Sequence, residues 1–145
     1  MNLPFPLPDL DDPITGPFWT HAATRRLTLP WCDRCDRHVW YPRAACASCA
    51  GALRWVDVAT TGVVVASTVV HRAFLPAYEH LVPFTTGLVE IDGSGGCRLA
   101  TRFLDAPADG LPIGAPVVVE FAPLTLPDTD LTVLAPMYRL ASTAR

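Results

Sequence analysis

Four cysteines constrain this chain more than any other feature. Cys32 and Cys35 form one C-x2-C pair, and Cys46 and Cys49 form a second, ten residues further on. Each pair is a tight turn that brings two sulfurs to one point. Two such turns facing each other place four thiolates at tetrahedral corners, the arrangement that suits Zn2+. Four protein ligands make a closed site, so the expected metal role is structural rather than catalytic. Gly51 follows the second pair and is expected to free the backbone there. Asp36 follows the first pair, where glycine is the favoured residue.

Other uses of four thiols compete with zinc. Disulfides need an oxidising compartment, and the Met-Asn-Leu-Pro start carries no basic, apolar leader, so a cytoplasmic chain is expected. One iron held by four thiolates, or a redox-active C-x2-C pair, fits the same spacing. A metal that staples a module too small to bury a core unaided is the plainest reading.

The 145 residues are enough for one domain, or for two small units that share one core. Half of them are apolar, too many for disorder. The net charge is −3, and every basic residue other than histidine is arginine. The charge is uneven. Arg25, Arg26, Arg34, Arg37, Arg43 and Arg54 crowd the cysteine region against Asp33 and Asp36, leaving an acidic remainder. A basic ribbon on an acidic body suits an anionic ligand or an acidic partner surface.

Around the cysteines the chain reads as follows. Residues 1–15 form an extended arm, because Pro4, Pro6, Pro8 and Pro13 block both helix and central strand. Thr15-Gly16-Pro17 opens a short helix, with Phe18, Trp19, Ala22 and Ala23 at helical spacing. Leu27 to Pro30 reads as a strand, and the helix plus cysteine ribbon occupies 16–54. Strands are then expected over 53–58, 62–70, 84–91, 97–104, 116–121 and 131–135, where β-branched runs alternate with turn residues. Asp92 to Gly96 is a hairpin turn, and Asp128-Thr129-Asp130 precedes the last strand. This is a mainly β chain whose residues 55–136 match a small OB-like barrel in strand number, with a tail over 137–145.

No catalytic constellation stands out. Cys97 is a lone thiol beside Arg98, without a visible base, and reads as a strand residue. His38 reads as a packed ribbon histidine. His71, Tyr78, Glu79 and His80 share one loop and could supply an acid–base pair at a channel mouth.

These blocks together resemble a known family, the small zinc-ribbon/OB-fold proteins that accompany acyl-CoA enzymes, long described as a domain of unknown function. The resemblance runs from about Phe18 to Pro136. It rests on Leu27-Thr28-Leu29-Pro30, the four cysteines and Leu53-Arg54-Trp55-Val56. It continues through Thr61 to His71, Pro83 to Ile91 and Ile113 to Val119. It implies a short helix, a rubredoxin-like zinc ribbon and a C-terminal OB-fold barrel.

It also implies a non-catalytic accessory subunit. Members accompany thiolase-like enzymes, among them acetyltransferases and aldolases of steroid side-chain degradation, and others accompany enoyl-CoA hydratases. An α2β2 assembly with a thiolase-like enzyme follows as the expected form, with acyl-CoA at the shared interface. Arg25, Arg26, Arg37 and Arg43 are the candidates for CoA phosphates. A different class of function, single-stranded nucleic-acid binding by the barrel, would use Arg72, Arg98 and Arg102 with Phe103 as the stacking aromatic.

Overall fold

A computed structural model describes residues 7–124 and 132–142. Most of the expected N-terminal arm, the Asp128-Thr129-Asp130 turn and the end of the tail lie outside the described residues. Helix α1 spans Gly16–Ala23, with Pro17 in its first turn, where the missing N–H costs no intrahelical bond. Thr15 sits at the cap position but does not cap through its side chain. Its hydroxyl bonds Asp12 Oδ2 instead, and the Gly16 amide donates to the Asp12 carbonyl at 2.8 Å. Arg25, at φ 60°, turns the chain out of the helix.

Strand β1 (Thr28–Cys32) is the middle of a three-stranded antiparallel sheet, between β2 (Arg37–His38) and β3 (Arg54–Asp57). Five further strands close a barrel: β4 (Thr61–Val70), β5 (Phe84–Ile91), β6 (Arg98–Phe103), β7 (Pro116–Leu124) and β8 (Val133–Leu140). Their order around the barrel is β4-β5-β6-β8-β7, closed by β4 against β7. All pairings are antiparallel except β6 with β8, which meet at Phe103 and Tyr138. The expected mainly β chain with a short helix, a ribbon and an OB-type barrel is the fold observed.

A bulge between Val64 and Ala66 lets β4 serve two neighbours. Its first residues, Thr61 to Val63, pair with β7, and Gly62 to Val70 pair with β5 on either side of the bulge. An extra residue on one strand bends it and tightens its twist, which barrel closure requires. Gly87 faces this bulge. A Cβ at Gly87 would stand 1.9 Å from the Ala66 carbonyl oxygen, so no side chain fits there.

The last strand departs from the sequence reading. It runs on to Leu140, so Met137 and Tyr138 are buried barrel residues and not tail. Pro136 does not end the strand. In the structure it lies opposite Phe121, and its carbonyl accepts from Thr101 Oγ1 at 3.4 Å on the β6 side. A strand residue's N and C=O point the same way, so its missing N–H falls on the sparsely bonded β6 seam.

Residues 135–138 are all buried, because one face of β8 points into the barrel and the other lies under α1. Phe18, Ala22, Leu27 and Leu29 therefore join Val64, Val89, Phe103 and Tyr138 in one continuous core. Ribbon and barrel are two units on one core, and neither keeps its apolar face dry without the other.

Candidate functional site

The knuckles of the ribbon bring the four sulfurs within 4.8 Å of one another. Cys32 and Cys49 are 3.5 Å apart at Sγ, and Cys35 and Cys46 are 3.9 Å apart. A tetrahedral zinc with bonds of about 2.3 Å sets sulfurs roughly 3.8 Å apart, so the donor set fits such an ion. A disulfide needs about 2.05 Å, and all five cysteines are free thiols.

Local backbone prepares the sulfurs for negative charge. The amides of Ser48 and Cys49 hold the Cys46 thiol down at about 6. Cys35, crowded by the Cys49 sulfur and by burial, is pushed up to about 12. Four thiols this close resist full ionisation unless a cation compensates them, and a bound metal is such a cation.

The turn residues differ from expectation in one respect. The left-handed residues directly follow each pair: Asp36 at φ 51° and Ala50 at φ 54°. Gly51 is needed for another reason. A Cβ there would lie 3.1 Å from Cys49 Sγ and 3.0 Å from Arg34 Cδ, and the Gly51 amide donates to that sulfur at 3.3 Å.

Two of the ribbon's six arginines are neutralised internally. Arg26 grips Asp57 through two bonds of 3.0 Å, and Arg54 grips Asp33 at 2.9 Å. Arg37 bonds the Ser48 hydroxyl, which links β2 to the second knuckle. Arg43 borders a small recess beside Trp55 and Pro30, and Arg25 is exposed at the helix end. These four arginines thus lie in separate settings. On the barrel, Arg98 pairs with Glu90 at 3.3 Å and Phe103 is only 3% exposed, so the stacking surface that single-strand binding needs is not formed by those residues.

His38 packs edge-on to Trp31 with ring centroids 4.8 Å apart, and burial holds its imidazole below the usual range. Cys97 is half-buried beside the core, its amide donates to Ser94 Oγ at 3.0 Å, and burial pushes its thiol up. That is the reverse of what a nucleophile needs. The loop after β4 is divided. Tyr78 and His80 line a groove beside α1, whereas His71 and Glu79 are exposed and do not line it.

This groove had no sequence signal. It holds about 900 Å³ and is walled by Trp19, Phe84, Leu124 and Met137 from α1, β5, β7 and β8, with Arg102 among them. Among the described residues no helix is long and apolar enough to cross a membrane.

With this architecture in place, comparison with known proteins becomes decisive. Residues 19–55 match the profile of the ChsH2 rubredoxin-like zinc ribbon domain, and residues 55–122 match that of the ChsH2 C-terminal OB-fold domain. The chain belongs to the ChsH2 family of zinc-ribbon/OB-fold proteins.

The solved structure named "Ltp2-ChsH2(DUF35) aldolase" contains a chain of the same fold. The TM-score is 0.77 at 27% identity, covering 95% of this chain and 100% of that one. A DUF35-family protein of unknown function from Sulfolobus solfataricus shares the fold at TM-score 0.58 and 14% identity, over 90% of this chain and 87% of that one. A relative from Thermomonospora curvata, named "Probable enoyl-CoA hydratase alpha subunit", is 35% identical over 127 residues. That match takes in 86% of this ChsH2-family chain but only 37% of the relative, so the chain spans about a third of that protein's length.

Proposed function

We propose that this ChsH2-family chain is a non-catalytic accessory subunit that binds and stabilises a thiolase-like enzyme acting on CoA thioesters, of the steroid side-chain aldolase or acetyltransferase type. The observation that carries this reading is the likeness to the ChsH2 chain of the Ltp2-ChsH2 aldolase, at full coverage of that chain. The absence of a nucleophile–base pair among the residues weighed above agrees with it. Cys97 is held as a thiol, and the loop after β4 does not bring its four polar residues to one place.

In this role Cys32, Cys35, Cys46 and Cys49 hold one structural Zn2+, which cross-links the two knuckles and fixes the ribbon against the barrel. The partner binds as an α2β2 heterotetramer, with an acyl-CoA channel shaped in part by this chain. Of the arginines considered for CoA phosphates, Arg25, Arg37 and Arg43 remain without a carboxylate partner among the described residues. Arg26 is committed to Asp57, and Arg37 to Ser48.

A second reading assigns the same scaffold role to an enoyl-CoA hydratase complex, and the Thermomonospora curvata relative supports it. Native mass spectrometry of the tagged chain, isolated gently from its own host, separates the two. A thiolase-like subunit in fixed proportion with one zinc per chain supports the first, and a hydratase-like subunit supports the second. A chain that comes out alone, or with nucleic acid, refutes both.

A further inference from the structure

Two arginines among the described residues are half-buried, and the fold treats them differently. Arg139 on β8 is held by Asp105 Oδ2 at 3.2 Å and Glu120 Oε2 at 2.5 Å. Arg102 on β6 has neither a carboxylate nor a hydrogen-bond acceptor for its guanidinium among the described residues. Arginine cannot shed its proton to escape burial, and its planar fork fits a carboxylate through two parallel bonds. A half-buried guanidinium without an acceptor among the described residues is free to take a carboxylate from a ligand.

The surroundings define what fills it. Arg102 borders three recesses. One is the groove of about 900 Å³, a second, of about 360 Å³, runs under Trp40 and Pro42, and a third, of about 520 Å³, holds Asp105, which is paired with Arg139. Trp19, Leu124 and Met137 border the first two. Among the described residues no Asp or Glu lines either of the first two. Thr86, beside Arg102, is already committed through its hydroxyl to the Thr101 carbonyl at 2.7 Å. A largely apolar cleft of this size with one fixed charge is the usual form of a small-molecule site.

We infer that the groove binds an amphipathic carboxylate, with the carboxylate forked on Arg102 and the apolar body lying along Trp19, Leu124 and Met137. An uncharged lipid leaves the guanidinium unpaired. A polyanion meets one arginine among largely apolar walls. This site goes beyond the accessory role proposed above and does not depend on it, because the chain alone supplies every residue.

The test titrates the full chain with decanoate and with 1-decanol, both below their aggregation limits, by calorimetry and by tryptophan fluorescence. Trp19 and Trp40 line the recesses and report occupancy. Decanoate is expected to bind at least tenfold more tightly than decanol. Arg102→Gln should erase that difference while leaving decanol affinity and the melting temperature unchanged, and Arg98→Gln, at an arginine that lines neither recess, should leave the difference intact. Should Arg102→Gln misfold, the wild-type guanidinium resonances decide. The Arg102 Nε–H signal is expected to shift with decanoate and not with decanol. Equal affinity for the two probes, no binding of either, an undiminished preference in folded Arg102→Gln or an unmoved Arg102 resonance each overturns the proposal.

Discussion

The sulfurs of Cys32 and Cys49 lie 3.5 Å apart, although they are 17 residues apart in sequence. Neither hydrophobic burial nor a disulfide accounts for four thiols held at this spacing, whereas a shared metal does. Structural zinc contributes on the order of 10 kcal/mol in small ribbons, comparable to the total stability of about 5–15 kcal/mol for a domain. Cys32→Ala or Cys46→Ala is therefore expected to unfold the ribbon. Because Leu27 and Leu29 belong to the barrel's core, the barrel should lose its cooperative melt as well. Metal analysis by plasma mass spectrometry should give one zinc per wild-type chain and none in the variants, and calorimetry should show the melt lost. Metal-free variants that melt normally would show that the site is dispensable.

Gly87 and Gly93 make a matched pair. At Gly87 an added Cβ meets the Ala66 backbone at 1.9 Å, inside the β4 bulge. At Gly93, in the hairpin turn, it meets nothing within 4 Å, but the φ of 68° disfavours a side chain. Gly87→Ala should cost about 3 kcal/mol or more, the upper range for forced overpacking. Gly93→Ala should cost about 1–2 kcal/mol, for the left-handed backbone alone. Urea denaturation measures both, and equal costs would mean that the bulge relaxes freely.

These contrasts mark what sequence can and cannot disclose. The cysteine spacing and the β-branched runs are local signals, and they sufficed for the ribbon, the strands and the barrel class. The expected last strand stopped at Ala135, and only the pairing of Pro136 with Phe121 reveals that the chain runs on, with the proline's missing N–H facing a seam with few bonds. Arg26 and Asp57 are 31 residues apart, so their mutual neutralisation was invisible and the ribbon looked more basic than it is. The groove is assembled from a helix, a loop and five strands, with no motif to announce it. Gly51 was rightly singled out, but for backbone freedom that Ala50 provides. Its real constraint is the closeness of a sulfur.

Tyr138 carries a buried hydroxyl with no hydrogen-bond partner among the described residues. An unsatisfied buried polar group of this kind costs about 1–3 kcal/mol. Tyr138→Phe is thus expected to raise stability by about 1 kcal/mol, against the usual loss for a buried tyrosine. Burial, and then the Asp92 charge, push the phenol's pKa up. The unfolded chain then releases this proton first. The tyrosine's contribution is complete below about pH 10, its unfolded value, and is lost as the pH rises above it. Denaturation at pH 8 and pH 11 should show the wild type losing more stability than Tyr138→Phe. Equal losses would mean that the phenol is solvated.

Phe74 is 92% exposed, on the same loop that sends Tyr78 and His80 into the groove. An aromatic ring left in water contributes nothing to the isolated fold, but burying it against a partner is worth about 1.5–3 kcal/mol. Exposed aromatics of this kind are frequent anchors at the centre of interfaces. Phe74→Ser should leave the melting temperature of the isolated chain unchanged within about 0.5 kcal/mol of stability. With the co-purified enzyme subunit immobilised, it should weaken association about tenfold or more, the equivalent of about 1.4 kcal/mol. Surface plasmon resonance separates the two effects. Unchanged affinity would place the loop outside the interface. A faster off-rate with an unchanged on-rate would identify Phe74 as a contact buried after docking rather than a group that steers encounter.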